Sequence, residues 1–120
     1  MKLILLIDDN DLFRVTMAEW LTLEGFQSVT TGDGMSGLRL AQECQPDLIL
    51  CDVDMPDMDG LETLRQLRQD ANTAHIPLLF LTAGSTLQAH DAYQLGASGL
   101  VSKSGAIYKL RNAIHTHTIS

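Results

Sequence analysis

Short apolar runs alternate with stretches of helical periodicity along the whole chain, and this alternation restricts the fold more than any other feature of the sequence. The strand-like runs are Leu3 to Ile7, Phe26 to Thr30, Leu48 to Cys51, Leu78 to Leu81 and a weak Leu100-Val101. The first, third and fourth are apolar throughout, as strands covered on both faces should be. The second is more polar and suits a sheet edge. Between the runs, Phe13, Met17, Trp20 and Leu21 share one helical face, with Asn10 or Asp11 as cap and Gly25 as stop. Met35, Leu38 and Ala41 form the next stripe, then Leu61, Leu64 and Leu67 after Gly60, and last Ile107, Leu110 and Ile114. A fourth helix, around Leu87 to Leu95, is poorly amphipathic, and the polar tail from His115 to Ser120 is expected to fray.

Successive βα units predict an α/β fold: one five-stranded parallel sheet with right-handed crossovers and helices on both faces. The commonest small arrangement of this kind is the flavodoxin-like, doubly wound order 2-1-3-4-5, whose crevice lies between strands 1 and 3. The 120 residues suit a single domain, residues 1–120. Hydrophobic residues at 45% and charged residues at 19% are ordinary globular usage, and no apolar run approaches the roughly 20 residues that span a bilayer. A soluble, cytoplasmic protein is expected, since the run after Met1-Lys2 is short and lacks a small-residue cleavage site. Cys44 and Cys51 have neither CxxC nor metal-ligand spacing and read as a buried, reduced pair. A net charge of −7 argues against direct contact with nucleic acid or an anionic membrane.

In such a sheet ligands bind beyond the carboxyl ends of the strands at the switch point. Both strand ends there are acidic: Asp8 and Asp9 follow the first strand, and Asp52 follows the third, trailed by Val53, Asp54, Met55 and Pro56. Carboxylates about 4 to 5 Å apart repel by roughly 3 to 4 kcal/mol per pair at an effective dielectric near 20, so the cluster calls for a compensating cation. Oxygen ligands of this kind, few in number, suit Mg²⁺ together with water and a phosphate. Helix capping accounts for Asn10 or Asp11, but not for acids at two neighbouring strand ends. Thr82 closes the fourth strand with a hydroxyl, and Lys103 follows the fifth with a compact positive charge suited to a phosphate oxygen.

These residues resemble a known family, the receiver domains of bacterial response regulators. The resemblance rests on Asp8-Asp9, on the run from Pro46 to Gly60 with Asp52, Asp54 and Pro56 inside it, on Leu81-Thr82-Ala83, and on Gly96 to Lys103. It implies that Asp52 is the phosphoacceptor, that Asp9 ligates Mg²⁺ directly and Asp8 through water, and that Asp54 offers its backbone carbonyl. Thr82 and Lys103 would bind phosphoryl oxygens. The implied partners are a sensor histidine kinase or histidine phosphotransfer protein and a downstream effector, with a phosphorylation-dependent dimer left open. The domain would assist its own phosphotransfer and dephosphorylation without being an enzyme in the turnover sense.

Three positions depart from the family pattern. Ser104 stands where a proline usually follows the lysine, which is expected to loosen that loop. Leu100 stands where a Tyr or Phe usually swings inward on activation. Asp54 brings an extra carboxylate at a position that, with Gly84, tunes hydrolysis in the family. Two other readings compete: a degenerate receiver acting by binding alone, and a haloacid-dehalogenase-like phosphatase, similar in its Asp52-Val53-Asp54 string. The second fails on placement, because such enzymes carry the motif after their first strand. A calcium loop fails too, since Gly60 at loop position six would put Met55 at the first ligand position. His75, His90, His115 and His117 are scattered and read as surface.

Overall fold

The apolar runs form strands and the periodic stretches helices, in the order β1 (Leu3–Ile7), α1 (Asp11–Leu23), β2 (Gln27–Thr31), α2 (Gly34–Cys44), β3 (Leu48–Asp52), α3 (Gly60–Gln69), β4 (Leu78–Thr82), α4 (Ala89–Gln94), β5 (Gly99–Ser102) and α5 (Ile107–Thr118). The computed structural model describes residues 2–84, 89–105 and 107–118. The strands build one all-parallel sheet in the order β2-β1-β3-β4-β5, the flavodoxin-like arrangement expected.

Strand side chains alternate between two cores, because successive residues point to opposite faces. Leu5, Ile7, Ile49, Cys51, Leu78 and Phe80 pack with Ala41 of α2, Leu64 and Leu67 of α3 and Ala92 of α4. Ile4, Leu6, Leu48, Leu50, Leu79 and Leu81 pack with Met17 and Leu21 of α1 and Leu110 and Ile114 of α5. Each fully buried Leu or Ile contributes about 1.5 to 3 kcal/mol. With both faces covered, the central strands can be apolar throughout. Helices α1, α2 and α3 start at side-chain caps: Asn10 accepts from the Phe13 amide at 2.9 Å, Asp33 from Ser36 at 2.7 Å and Asp59 from Glu62 at 2.9 Å. Each such cap is worth about 1 kcal/mol. Asn10, not Asp11, is therefore the cap of α1.

Several sequence expectations need correction. The second strand begins at Gln27 because the Phe26 amide bonds back to the Leu21 carbonyl at 2.9 Å and so leaves the ladder. Met35 is exposed, since α2 meets the sheet through Gly37 and Ala41; a Cβ at Gly37 would stand 2.5 Å from the Ile7 side chain. Ile107 is also exposed, because α5 docks from Leu110 onward. The tail does not fray at His115: helix α5 runs to a buried Thr118, and the His115 ring lies 5.3 Å from that of Phe26. Cys44 is exposed in the last turn of α2 and only Cys51 is buried, its thiol pushed up by burial and by the charges of Asp52 and Asp8. The fourth helix is described over Ala89–Gln94, and Leu87 and Gln88 of the predicted span lie outside the described residues.

Candidate functional site

The ladder that pairs Ile7 with Cys51 brings the next residues, Asp8 and Asp52, side by side at the crevice between β1 and β3. Asp8 is fully buried and held at each end: its amide donates to Thr31 O at 3.0 Å, and its Oδ1 accepts from the Asn10 amide at 2.9 Å. Arg14 Nη1 donates to the Asp8 carbonyl at 2.7 Å, fixing the strand end to α1. Asp52 is 5% exposed. Asp9 is exposed, yet one carboxylate oxygen from each of Asp8, Asp9 and Asp52 lies within 4.8 Å of the others.

Lys103 enters this cluster from the end of β5. Its Nζ stands 2.5 Å from Asp8 Oδ2 and 3.5 Å from Asp52 Oδ2, with only 14% of the side chain exposed. Its amide donates to the Thr82 carbonyl at 2.8 Å, which joins the ends of β4 and β5. Burial, then the Asp8 charge, push the Asp52 carboxyl up to about 6, with a further contribution from a carboxyl hydrogen bond to Asp9; Lys103 and the Asp54 amide, which donates to Asp52, pull the other way. The acids therefore outweigh the single ammonium. The buried Asp8 Oδ2 has the Lys103 ammonium as its charged neighbour at 2.5 Å, so three carboxylates share this one ammonium. An oxygen donor set with that excess of negative charge fits a small hard cation such as Mg²⁺.

Loop geometry supports the same crevice. A Cβ at Gly60 would lie 2.2 Å from the Asp52 carbonyl, so only glycine lets α3 start against the end of β3; the Gly60 amide donates to Val53 O at 2.9 Å. Asp54 is exposed in the loop between them. Thr82, buried at the end of β4, accepts at its hydroxyl from the Gly84 amide at 3.3 Å. In the loop after Lys103, the Ser104 amide donates to Ser102 Oγ at 3.2 Å, a bond that proline could not make, and the Gly105 amide reaches Ser102 O at 3.2 Å.

The crevice thus gathers Asp8, Asp9, Asp52 and Lys103, with the Asp54 amide on Asp52 and Thr82 one residue past Leu81, the ladder partner of Asp52. Two residues at the site were not singled out from the sequence as site residues. Arg14 bonds to the Asp8 carbonyl, and Phe13, counted as core, lies beneath the Lys103 ammonium at 4.5 Å from its ring centroid. Their positions five and six residues after Asp8, one helical turn into α1, are the only signal.

Fold and crevice define a class: a doubly wound α/β domain with an acidic, cation-ready site at its switch point. The response regulator receiver domain model matches residues 4–115, and the chain belongs to that family, the signalling switches of two-component systems. A probable chemotaxis protein CheY from Rhizobium etli is 34% identical over 113 residues, covering 92% of this chain and 88% of that protein. The polar-differentiation response regulator DivK of Brucella anthropi is 34% identical over 82 residues, 68% of this chain and 67% of its own. Among solved structures, the chemotaxis protein CheY4 of Vibrio cholerae superposes with a TM-score of 0.88 at 27% identity, covering 97% of this chain and 98% of its own. The receiver domain of a Pseudomonas aeruginosa sensor histidine kinase, with magnesium coordinated in its active site cleft, superposes with a TM-score of 0.88 at 25% identity, covering 99% and 98%. Among the described residues, no helix is long and apolar enough to cross a membrane.

Proposed function

We propose that residues 1–120 act as one receiver domain in which Asp52 accepts a phosphoryl group from a phosphohistidine on a sensor histidine kinase or histidine phosphotransfer protein. The observation that carries this reading is the placement of Asp52: nearly buried at the end of β3, within 4.8 Å of two further acids and 3.5 Å from Lys103 Nζ. An Asp52 carboxylate oxygen forms the new P–O bond as the P–N bond to the donor imidazole breaks in line. The imidazole keeps the electron pair and takes up a proton. Asp9 and Asp52 would hold Mg²⁺ directly, Asp8 through water and Asp54 through its backbone carbonyl. Bound there, the ion neutralises negative charge on the cluster and the incoming phosphoryl group. Lys103 exchanges its contact with Asp8 for a phosphoryl oxygen, and the Thr82 hydroxyl donates to another.

The aspartyl phosphate adds about −1.5 to −2 charges, and water later hydrolyses it, so the domain assists its own chemistry and turns over no external substrate. Output passes to an effector protein or domain. The net charge of −7 supports protein partners over nucleic acid or an anionic membrane. The test is intact-mass spectrometry after incubation with acetyl phosphate and Mg²⁺. A gain of one phosphoryl group is expected in the wild type and absent in Asp52→Asn. A gain that survives in Asp52→Asn overturns the assignment, and no gain in the wild type leaves a receiver that works by binding alone.

A further inference from the structure

We propose that Phe13 is a positioning residue that holds the Lys103 ammonium in the acidic crevice. The inference rests on the phosphoacceptor reading for its consequence, though not for its geometry. Lys103 lies on a strand end with four freely rotating side-chain bonds, and the peptide after it leads to Ser104 rather than a rigid proline. Something must keep the charge from leaving for solvent. The backbone bond to Thr82 and the Ser102–Ser104 turn fix only the main chain.

Three contacts meet the ammonium itself. On one side are Asp8 Oδ2 and Asp52 Oδ2, at 2.5 and 3.5 Å; on the other is the face of Phe13, with the ring centroid 4.5 Å from Nζ. A cation within about 6 Å of an aromatic centroid is attracted by the negative face of the ring, and more strongly where water is largely excluded, as at this 14% exposed side chain. The carboxylate contact with Asp8 must be given up when a phosphoryl oxygen takes its place, whereas the ring contact need not be. Phe13 therefore provides the hold that persists through phosphorylation.

Phe13 also packs, half-buried, against the core that holds Leu81 and Leu110, and it borders a cavity of about 200 Å³ between α1 and α5, bounded also by Met17. Leucine at this site keeps the apolar volume and removes the π face, so Phe13→Leu should fold, while Phe13→Tyr keeps the face and should behave as wild type.

The test has two arms. In NMR spectra of the unphosphorylated protein, the Lys103 Hε resonances should be shifted upfield by the ring, remain so in Phe13→Tyr and return to ordinary positions in Phe13→Leu; ordinary positions in the wild type overturn the proposal. In phosphorylation by acetyl phosphate, Phe13→Leu should be slower by roughly two- to tenfold, the range such a contact supports. Added to Lys103→Met, the same substitution should cost nothing further. Equal slowing in both backgrounds would mean that Phe13 acts on the fold and not through Lys103, and would overturn the proposal. If the wild type took no phosphoryl group, the phosphoacceptor reading would fall and the resonance shift would still decide whether Phe13 holds Lys103.

Discussion

Asp52 sits where folding works against its charge. A carboxyl held at about 6 in the fold and near 3.8 in the unfolded chain binds more protons folded than unfolded between those values. Stability from this group is thus fully present below pH 3.8 and lost as pH rises through 6, before any metal binds. At pH 7.5 in chelator, Asp52→Asn should raise unfolding stability by on the order of 2 kcal/mol, and the gain should fade toward pH 4. Urea denaturation at the two pH values checks this; equal stability of variant and wild type at pH 7.5 would mean that the crevice already neutralises Asp52. Mg²⁺ should reverse the balance. Binding only to the native state, it should stabilise the wild type by about 2.7 kcal/mol at a hundredfold excess over its dissociation constant. Asp9 is the informative partner to remove, because it is exposed and its loss leaves no cavity. Asp9→Ala should keep the metal-free stability and lose the Mg²⁺-dependent increment in thermal melts, whereas a wild type insensitive to Mg²⁺ would exclude the metal reading of the cluster.

At the scale of elements, the loop from β3 into α3 carries the tightest constraint, since Gly60 lets a helix begin on the carbonyl of Asp52. Gly60→Ala must push α3 away or twist the end of β3, and overpacking of this kind costs about 1 to 3 kcal/mol. A drop in the urea midpoint of that size is expected, and a midpoint like the wild type would show that α3 docks differently. How legible such elements were depended on what each one buries. Strands β1, β3 and β4 stood out because both faces are covered and each is apolar up to its carboxyl end, where Asp52 and Thr82 close β3 and β4. Helix α2 misled at Met35 because it approaches through a glycine and an alanine, and small residues leave no hydrophobic stripe. Helix α4 was faint because its six residues include a single alanine, Ala92, in the core cluster. The acids were legible as strand-end residues, but their convergence depends on β1 and β3 being neighbours, which periodicity alone does not fix. The place of Phe13 under Lys103 was not legible, since a residue on the core face of α1 looks the same whether it meets a leucine or an ammonium.

For the molecule as a whole, the proposed phosphorylation of Asp52 would have to reach the outer surface without the family's aromatic switch, since Leu100 stands in its place. Leu100 pairs with Phe80 in the sheet and packs, half-buried, against the core that holds Ile7 and Cys51, so it has neither the ring nor the freedom to report on Thr82. The neighbouring α4 contributes Ala92 to the core cluster. Past its carboxyl end, Arg68 Nε donates to Gly96 O at 3.1 Å and the Ser98 amide donates to Leu78 O at 2.8 Å, which anchors the turn into β5. Toward its amino end the chain leads back to Ala83 and Gly84, both exposed, and from there to Thr82. A pull on the Thr82 hydroxyl would therefore act through the chain that leads into α4, and elements with few buried contacts are those that a local event repositions. Phosphorylation, or a beryllofluoride mimic with Mg²⁺, should change amide hydrogen exchange mainly from Ala83 through Leu95, with little change at Leu100. Thr82→Ala should remove most of that difference, and Leu100→Tyr should alter it only modestly. An exchange map in which the change falls on Leu100 to Ser104 while the α4 amides stay as they were would place the relay on β5 and its loop instead.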